Sequence, residues 1–204
     1  MMLVLKINWY YIHLSNTMNT NLLIDNYDSF TYNLYHMIPN CDVIRNDELS
    51  LEEIKSRNYK RIIIGPGPGS PDQEAYFGVC SSVIKELGKS TPVLGICLGM
   101  QGIAHIFGGN VIKAKNIMHG KISTVITEGK PHLFKDIPSK FDVMRYHSLV
   151  VADIPDSLEI TSYSADDKEV MSLRHKEFPI YGMQFHPESF GTEFGKKIID
   201  NFLK

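Results

Sequence analysis

The chain has 204 residues, 43% of them hydrophobic and 22% charged, and carries a formal net charge of -2. That length suits one domain with a sizeable core, and the near-average composition excludes a disordered or fibrous chain. The scattered lysines and arginines exclude a basic groove for nucleic acid, and no apolar run approaches the ~20 residues of a bilayer span.

Residues 1–20, MMLVLKINWYYIHLSNTMNT, read as an N-terminal extension outside the domain, with Met18 as the natural beginning. Lys6, Asn8 and His13 interrupt the apolar stretch and no small-residue cleavage site follows, so a signal peptide fits poorly. From residue 21 to 204 the chain reads as one domain. NLLID (21–25) has the short apolar run of a buried parallel strand. A helix over about 30–37 follows, with Asp28 and Ser29 as candidate caps. CDVIR (41–45) is a second strand, 49–57 a second helix, and RIIIG (61–65) a third strand rich in β-branched residues. GPGPGSP (65–71) suits neither helix nor strand. A helix over about 75–87 comes next, then the strand TPVLGIC (91–97), then a helix over about 98–107. Beyond Gly108 the segments VIKA, KISTVIT, FDVMRYH, LEITSYS, EVMSLRH and PIYGMQF are strand-like, and a helix over about 191–203 follows. The expected fold is an α/β, flavodoxin-like one: an open, twisted, mostly parallel sheet with helices on both faces and a β-rich C-terminal half.

In such sheets ligands bind at the carboxyl ends of the strands. Three unusual segments fall there: GPGPGSP, the turn at Cys97, and the HPE triplet after MQF. Cys97 lies between Gly95 and Gly99 where a strand turns into a helix. That is the nucleophile-elbow pattern, in which small neighbours allow a tight turn that presents the side chain. It also sets the sulfur at the positive end of a helix dipole. Cys41 and Cys80 lack that context and read as structural. The three cysteines form neither a disulfide framework nor a zinc pair, which fits a reducing, cytoplasmic setting. A thiol nucleophile needs a base, and the base needs an orienting partner. His186 and Glu188, two apart in an extended segment, project to one side and can supply both. Gly67 and Gly69 let backbone approach a ligand, and one N–H there could join that of Leu98 in an oxyanion hole. No GxxxxGK[ST] is present, so the glycine-rich stretch is not a nucleotide P-loop. His119 and His147 read as structural histidines, and no spacing points to a metal site.

The segments GICLGMQ, HSL and MQFHPES resemble the glutamine site of class I glutamine amidotransferases. DNYDSFTYNL (25–34), GPGPGSP, MHGK (118–121) and RYHSL (145–149) are similar to one subgroup. It comprises the amidotransferase components of anthranilate synthase and of aminodeoxychorismate synthase, which the sequence matches equally. The resemblance covers about residues 21–204. It implies that Cys97 attacks the glutamine amide, that His186 relays protons and that Glu188 orients His186. It further implies that Gly69 and Leu98 offer N–H groups to the oxyanion, and that Gln101, Gly67, Pro68, Ser148 and Leu149 hold the substrate. Met100 stands where many relatives have histidine. The resemblance implies L-glutamine as substrate and, as partner, a larger chorismate-binding synthase subunit. No cofactor is implied in this chain, with magnesium expected on that partner.

Overall fold

The computed structural model describes residues 20–129 and 131–204. Apart from Thr20, the segment read as an extension lies outside the described residues. In chain order the strands are β1 (Asn21–Asp25), β2 (Cys41–Arg45), β3 (Arg61–Ile64), β4 (Val93–Ile96), β5 (Asn110–Thr127), β6 (Lys140–Ala152), β7 (Leu158–Ser164), β8 (Val170–His175) and β9 (Ile180–Met183). The helices are α1 (Thr31–Met37), α2 (Leu51–Ser56), α3 (Glu74–Phe77), α4 (Cys80–Ser82, continued by a π-helical turn, Val83–Leu87), α5 (Leu98–Ile106) and α6 (Gly195–Phe202). None of these helices is long and apolar enough to cross a membrane.

The strands form one nine-stranded sheet in the order β2-β1-β3-β4-β9-β8-β7-β5-β6. The α/β class and the helices on both faces hold, but the sheet is not mostly parallel. The four pairings from β2 to β9 are parallel, and the four from β9 to β6 are antiparallel. The reason lies in the connections. A parallel neighbour needs a crossover of a dozen or more residues, usually a helix. Among the described residues the connections between β5 and β9 hold turns and one short 3-10 turn, His132–Phe134, and no crossover helix, so those strands return antiparallel.

Alternation along the parallel strands builds two core layers. Leu22, Ile24, Ile62 and Ile64 face the layer with Ile54 of α2, Phe77 of α3 and Ile103 of α5. Leu23, Ile63 and Ile96 face the other, with Leu34 of α1 and Ile198, Ile199 and Phe202 of α6.

Three local expectations are corrected. Asp28 and Ser29 do not cap α1: its N-cap is Phe30, without a side-chain cap bond, although Asp28 Oδ2 accepts the Phe30 N–H at 2.7 Å. The helix expected over 75–87 is interrupted at Gly78, whose φ of 43° ends α3 while the Val79 N–H turns to Asn46 O. The last helix starts at Gly195 rather than near 191. Residues 192 and 193 bond to β6 instead: Glu193 N–H donates to Asp142 O at 3.1 Å, and Thr192 Oγ1 accepts the Met144 N–H at 3.0 Å.

Candidate active site

The parallel half brings three chain segments to the carboxyl ends of its strands, where an open α/β sheet leaves a crevice. Cys97 is the N-cap of α5 and has a φ of 53°, a left-handed conformation that a non-glycine residue adopts only under constraint. Its N–H donates to Met183 O at 2.8 Å, tying the end of β4 to the end of β9. The flanking glycines are sterically required. A Cβ on Gly95 would lie 2.4 Å from the Gly99 carbonyl carbon, and one on Gly99 would lie 2.4 Å from Ile64 O. Leu98 is the first residue of α5, so its N–H belongs to the helix turn that has no intrahelical acceptor.

The glycine-rich loop follows β3 and touches that helix start: a Cβ on Gly67 would lie 3.0 Å from the Leu98 side chain and 2.5 Å from Asn26. Gly69 has a φ of 76°, and a Cβ there would enter the Tyr76 ring. The loop is held by buried amides. Asn26 Nδ2 donates to Gly65 O at 2.9 Å, and Asn46 Nδ2 donates to Asn26 Oδ1 at 2.9 Å and to Tyr76 O at 2.8 Å.

His186 and Glu188 follow β9. The His186 N–H donates to Met144 O at 3.1 Å and its carbonyl accepts Thr192 Oγ1–H at 2.6 Å, so β6 fixes the backbone of this histidine. His186 Nδ1 and Glu188 Oε1 are 2.6 Å apart, with both side chains out of water. Among the described residues His186 Nε2 has no hydrogen-bond partner of ordinary geometry. Burial alone would lower the proton affinity of this imidazole. The Cys97 sulfur and Glu188 beside it overcome that and hold its pKa well above the usual value. Tyr146 packs edge-on to the His186 ring at 5.2 Å.

Antiparallel β6 supplies the remaining wall. Gly67, Pro68, Gly69, Cys97, Gln101, Tyr146, His147, Ser148 and Leu149 line a cavity of about 220 Å³. Of the residues singled out in the sequence, seven thus share one cavity: Cys97, Gly67, Pro68, Gly69, Gln101, Ser148 and Leu149. Leu98 adjoins it through the helix start. Glu188 borders a neighbouring hollow of about 190 Å³ with Phe30, Asn33, Tyr146, Ser189 and Phe190. Gln101 Nε2 donates to Leu149 O and to Gln184 Oε1, each at 3.1 Å. His147 is bonded at both ring nitrogens, to Arg145 Nε (3.0 Å) and Leu149 O (3.1 Å). Exposed His119 meets the Tyr146 ring edge-on, with 6.3 Å between ring centres, and does not line the cavity. Sequence reasoning missed Tyr146 and Gln184. Both lie inside quoted motifs, but neither carries a spacing signal of its own.

A cysteine on an elbow, a histidine–carboxylate pair and a glycine-rich loop, gathered on this sheet, are what the resemblance to class I glutamine amidotransferases leads one to expect. The chain belongs to that family: the glutamine amidotransferase class-I family matches residues 22–204. It is 52% identical over 197 residues to anthranilate synthase component 2 of Leptospira biflexa, covering 89% of this chain and 98% of that protein. It is 47% identical over 192 residues to the protein of the same name from Saccharolobus solfataricus, covering 91% and 98%. Against the aminodeoxychorismate synthase of Streptomyces griseus the identity is 43% over 186 residues, covering 89% of this chain and 25% of that longer protein. Among solved structures, that of a GMP synthase subunit from Thermoplasma acidophilum superposes with a TM-score of 0.79 at 28% identity, covering 92% and 93%.

Proposed function

We propose that this chain is the glutamine-hydrolysing subunit of a chorismate-aminating synthase and passes ammonia to a larger partner subunit. The observation that carries the reading is the His186–Glu188 pair beside Cys97, at the edge of a cavity that Gln101, Ser148 and Leu149 also line. The likeness to two proteins named anthranilate synthase component 2 and to one named aminodeoxychorismate synthase supports the choice of partner.

In this reading Cys97 Sγ attacks the γ-carbonyl carbon of glutamine. The charge that develops on oxygen meets the N–H groups of Gly69 and Leu98. His186 has taken the thiol proton and gives it to the departing nitrogen, so ammonia leaves and a γ-glutamyl thioester remains. His186 then takes a proton from water, the hydroxide displaces sulfur, and glutamate departs. Glu188 keeps the imidazole oriented and stabilises its charged form. The step draws on no cofactor of this chain, and magnesium belongs to the partner's chemistry.

The partner would cover the hollow beside Glu188, where Phe190 is 95% exposed and Phe30 41%. Exposed aromatic surface of this kind suits a protein interface. Glutaminase turnover should accordingly be low until the partner docks. Cys97→Ala should abolish glutamine-dependent synthesis by the complex and leave ammonia-dependent synthesis intact; retained glutamine use would overturn the mechanism. The complex given chorismate, magnesium and glutamine should yield anthranilate or aminodeoxychorismate, identified by mass and fluorescence. Neither product from an active complex would overturn the choice of partner.

A further inference from the structure

The Cys97 sulfur has two polar neighbours besides the imidazole. Tyr146 O is 4.0 Å away, and the side-chain amide nitrogen of Gln184 is 3.5 Å away. Gln184 is fully buried. Its neighbours Met183 and Phe185 point into the apolar layer, as alternation requires, while Gln184 points the other way. A buried amide costs free energy unless its polar atoms are engaged, and here each engagement is specific. Oε1 accepts from Gln101 Nε2 at 3.1 Å, which fixes which end of the amide is oxygen. Nε2 therefore faces the sulfur as a donor. Its backbone is anchored too, with the N–H on Met171 O at 2.9 Å.

We propose that Gln184 is a hydrogen-bond donor to the nucleophile, holding negative charge on the Cys97 sulfur, and that Gln101 sets its orientation. The proposal rests on Cys97 being the nucleophile. A donor aimed at an anion favours the charged form, and N–H bonds to charged acceptors are the stronger ones. The donor acts twice: on the free thiolate, and when the thioester breaks. In that second step water adds to the γ-carbonyl carbon and gives its proton to His186. The carbon–sulfur bond breaks and its electron pair returns to sulfur, where Gln184 Nε2–H is waiting. The ionisable groups around this centre are His186 and Glu188 after β9, Arg145, Tyr146 and His147 on β6, and Asp28 in the β1–α1 loop, which senses the His186 and Glu188 charges. Arg145 is taken up by Asp167 and Glu169 and both ring nitrogens of His147 are engaged, so among the side chains named here His186 and Gln184 are the donors left for the sulfur.

The test compares the full chain with its Gln184→Met and Gln184→Glu variants, after melting curves show each is folded. Gln184→Glu preserves shape and the acceptor for Gln101 while replacing the donor by a carboxylate oxygen. Iodoacetamide labelling of Cys97, followed by peptide mass across pH, reads sulfur charge without glutamine or partner. The pH of half-maximal labelling should rise by about one unit in Gln184→Met and further in Gln184→Glu. During turnover by the partner complex, acid-quenched Gln184→Met should carry more γ-glutamyl adduct than the parent chain. An unchanged labelling profile in a folded variant overturns the proposal. Glutamine hydrolysis surviving in Cys97→Ala would instead remove the nucleophile reading, and this proposal with it.

Discussion

His147 shows how much a single ring can be asked to do without touching the reaction. An arginine Nε only donates, so His147 Nε2 is the acceptor and the ring proton sits on Nδ1, facing Leu149 O. The ring must be neutral for this pattern. Burial first, and then the Arg145 charge, hold its pKa at about 4, below the ordinary 6.5. The unfolded chain therefore binds more protons between those values. Stability from this residue is complete above pH 6.5 and drains away as pH falls towards 4, by about 3 kcal/mol in all. The raised His186 works in the opposite sense, but its contribution is fully present below pH 6.5 and adds no slope in this window. Asp28 and Glu169, whose carboxyls take protons more readily than usual, favour the fold towards acid and are common to both chains compared below. Denaturant midpoints for the parent and His147→Gln at pH 7 and pH 4.5 should show the parent losing the larger share. Parallel losses would contradict the assignment.

At the scale of elements, the strand-to-helix turn at Cys97 was the most legible piece, because steric necessity leaves glycine in the sequence. Gly99→Ala should cost about 2–3 kcal/mol and cut labelling of Cys97, since its Cβ would lie 2.4 Å from Ile64 O. Thermal melting and thiol labelling check both; a folded, fully reactive variant would show that the turn has more room. β1, β2 and β7 could be read to the residue because apolar runs there end in turn residues. β5 could not. VIKA and KISTVIT read as separate strands, yet one strand runs from Asn110 to Thr127, with register shifts at Lys113/Met118 and His119/Lys121. Bulges break the alternation that sequence reading depends on. Gln184 escaped notice for another reason: in an apolar strand end a lone glutamine carries no periodic signal, and its partner Gln101 is 83 residues away.

For the molecule as a whole, the two halves of the sheet divide the labour. The parallel half presents Cys97, His186 and the glycine-rich loop; the antiparallel half supplies the Tyr146–Leu149 wall and clamps His186 through Met144 O. The aromatic surface beside Glu188 extends this site outward. Phe190→Asp should weaken binding of the synthase partner at least tenfold while leaving Cys97 labelling in the isolated chain unchanged, measured by titration calorimetry and peptide mass. Undiminished binding would move the interface elsewhere. The clamp also has a consequence for the order in which the chain is made. Translation delivers the cysteine and its helix early, the β6 clamp later, and His186 after both. A domain folds as a unit, and the Cys97 turn is completed by Met183 O of β9, so a ribosome-bound or prematurely terminated product that stops before β9 lacks both a finished turn and His186. Under the proposed mechanism such a fragment carries the thiol without the imidazole and should leave glutamine unhydrolysed, so the reaction waits until His186 has been added and β9 has joined the sheet.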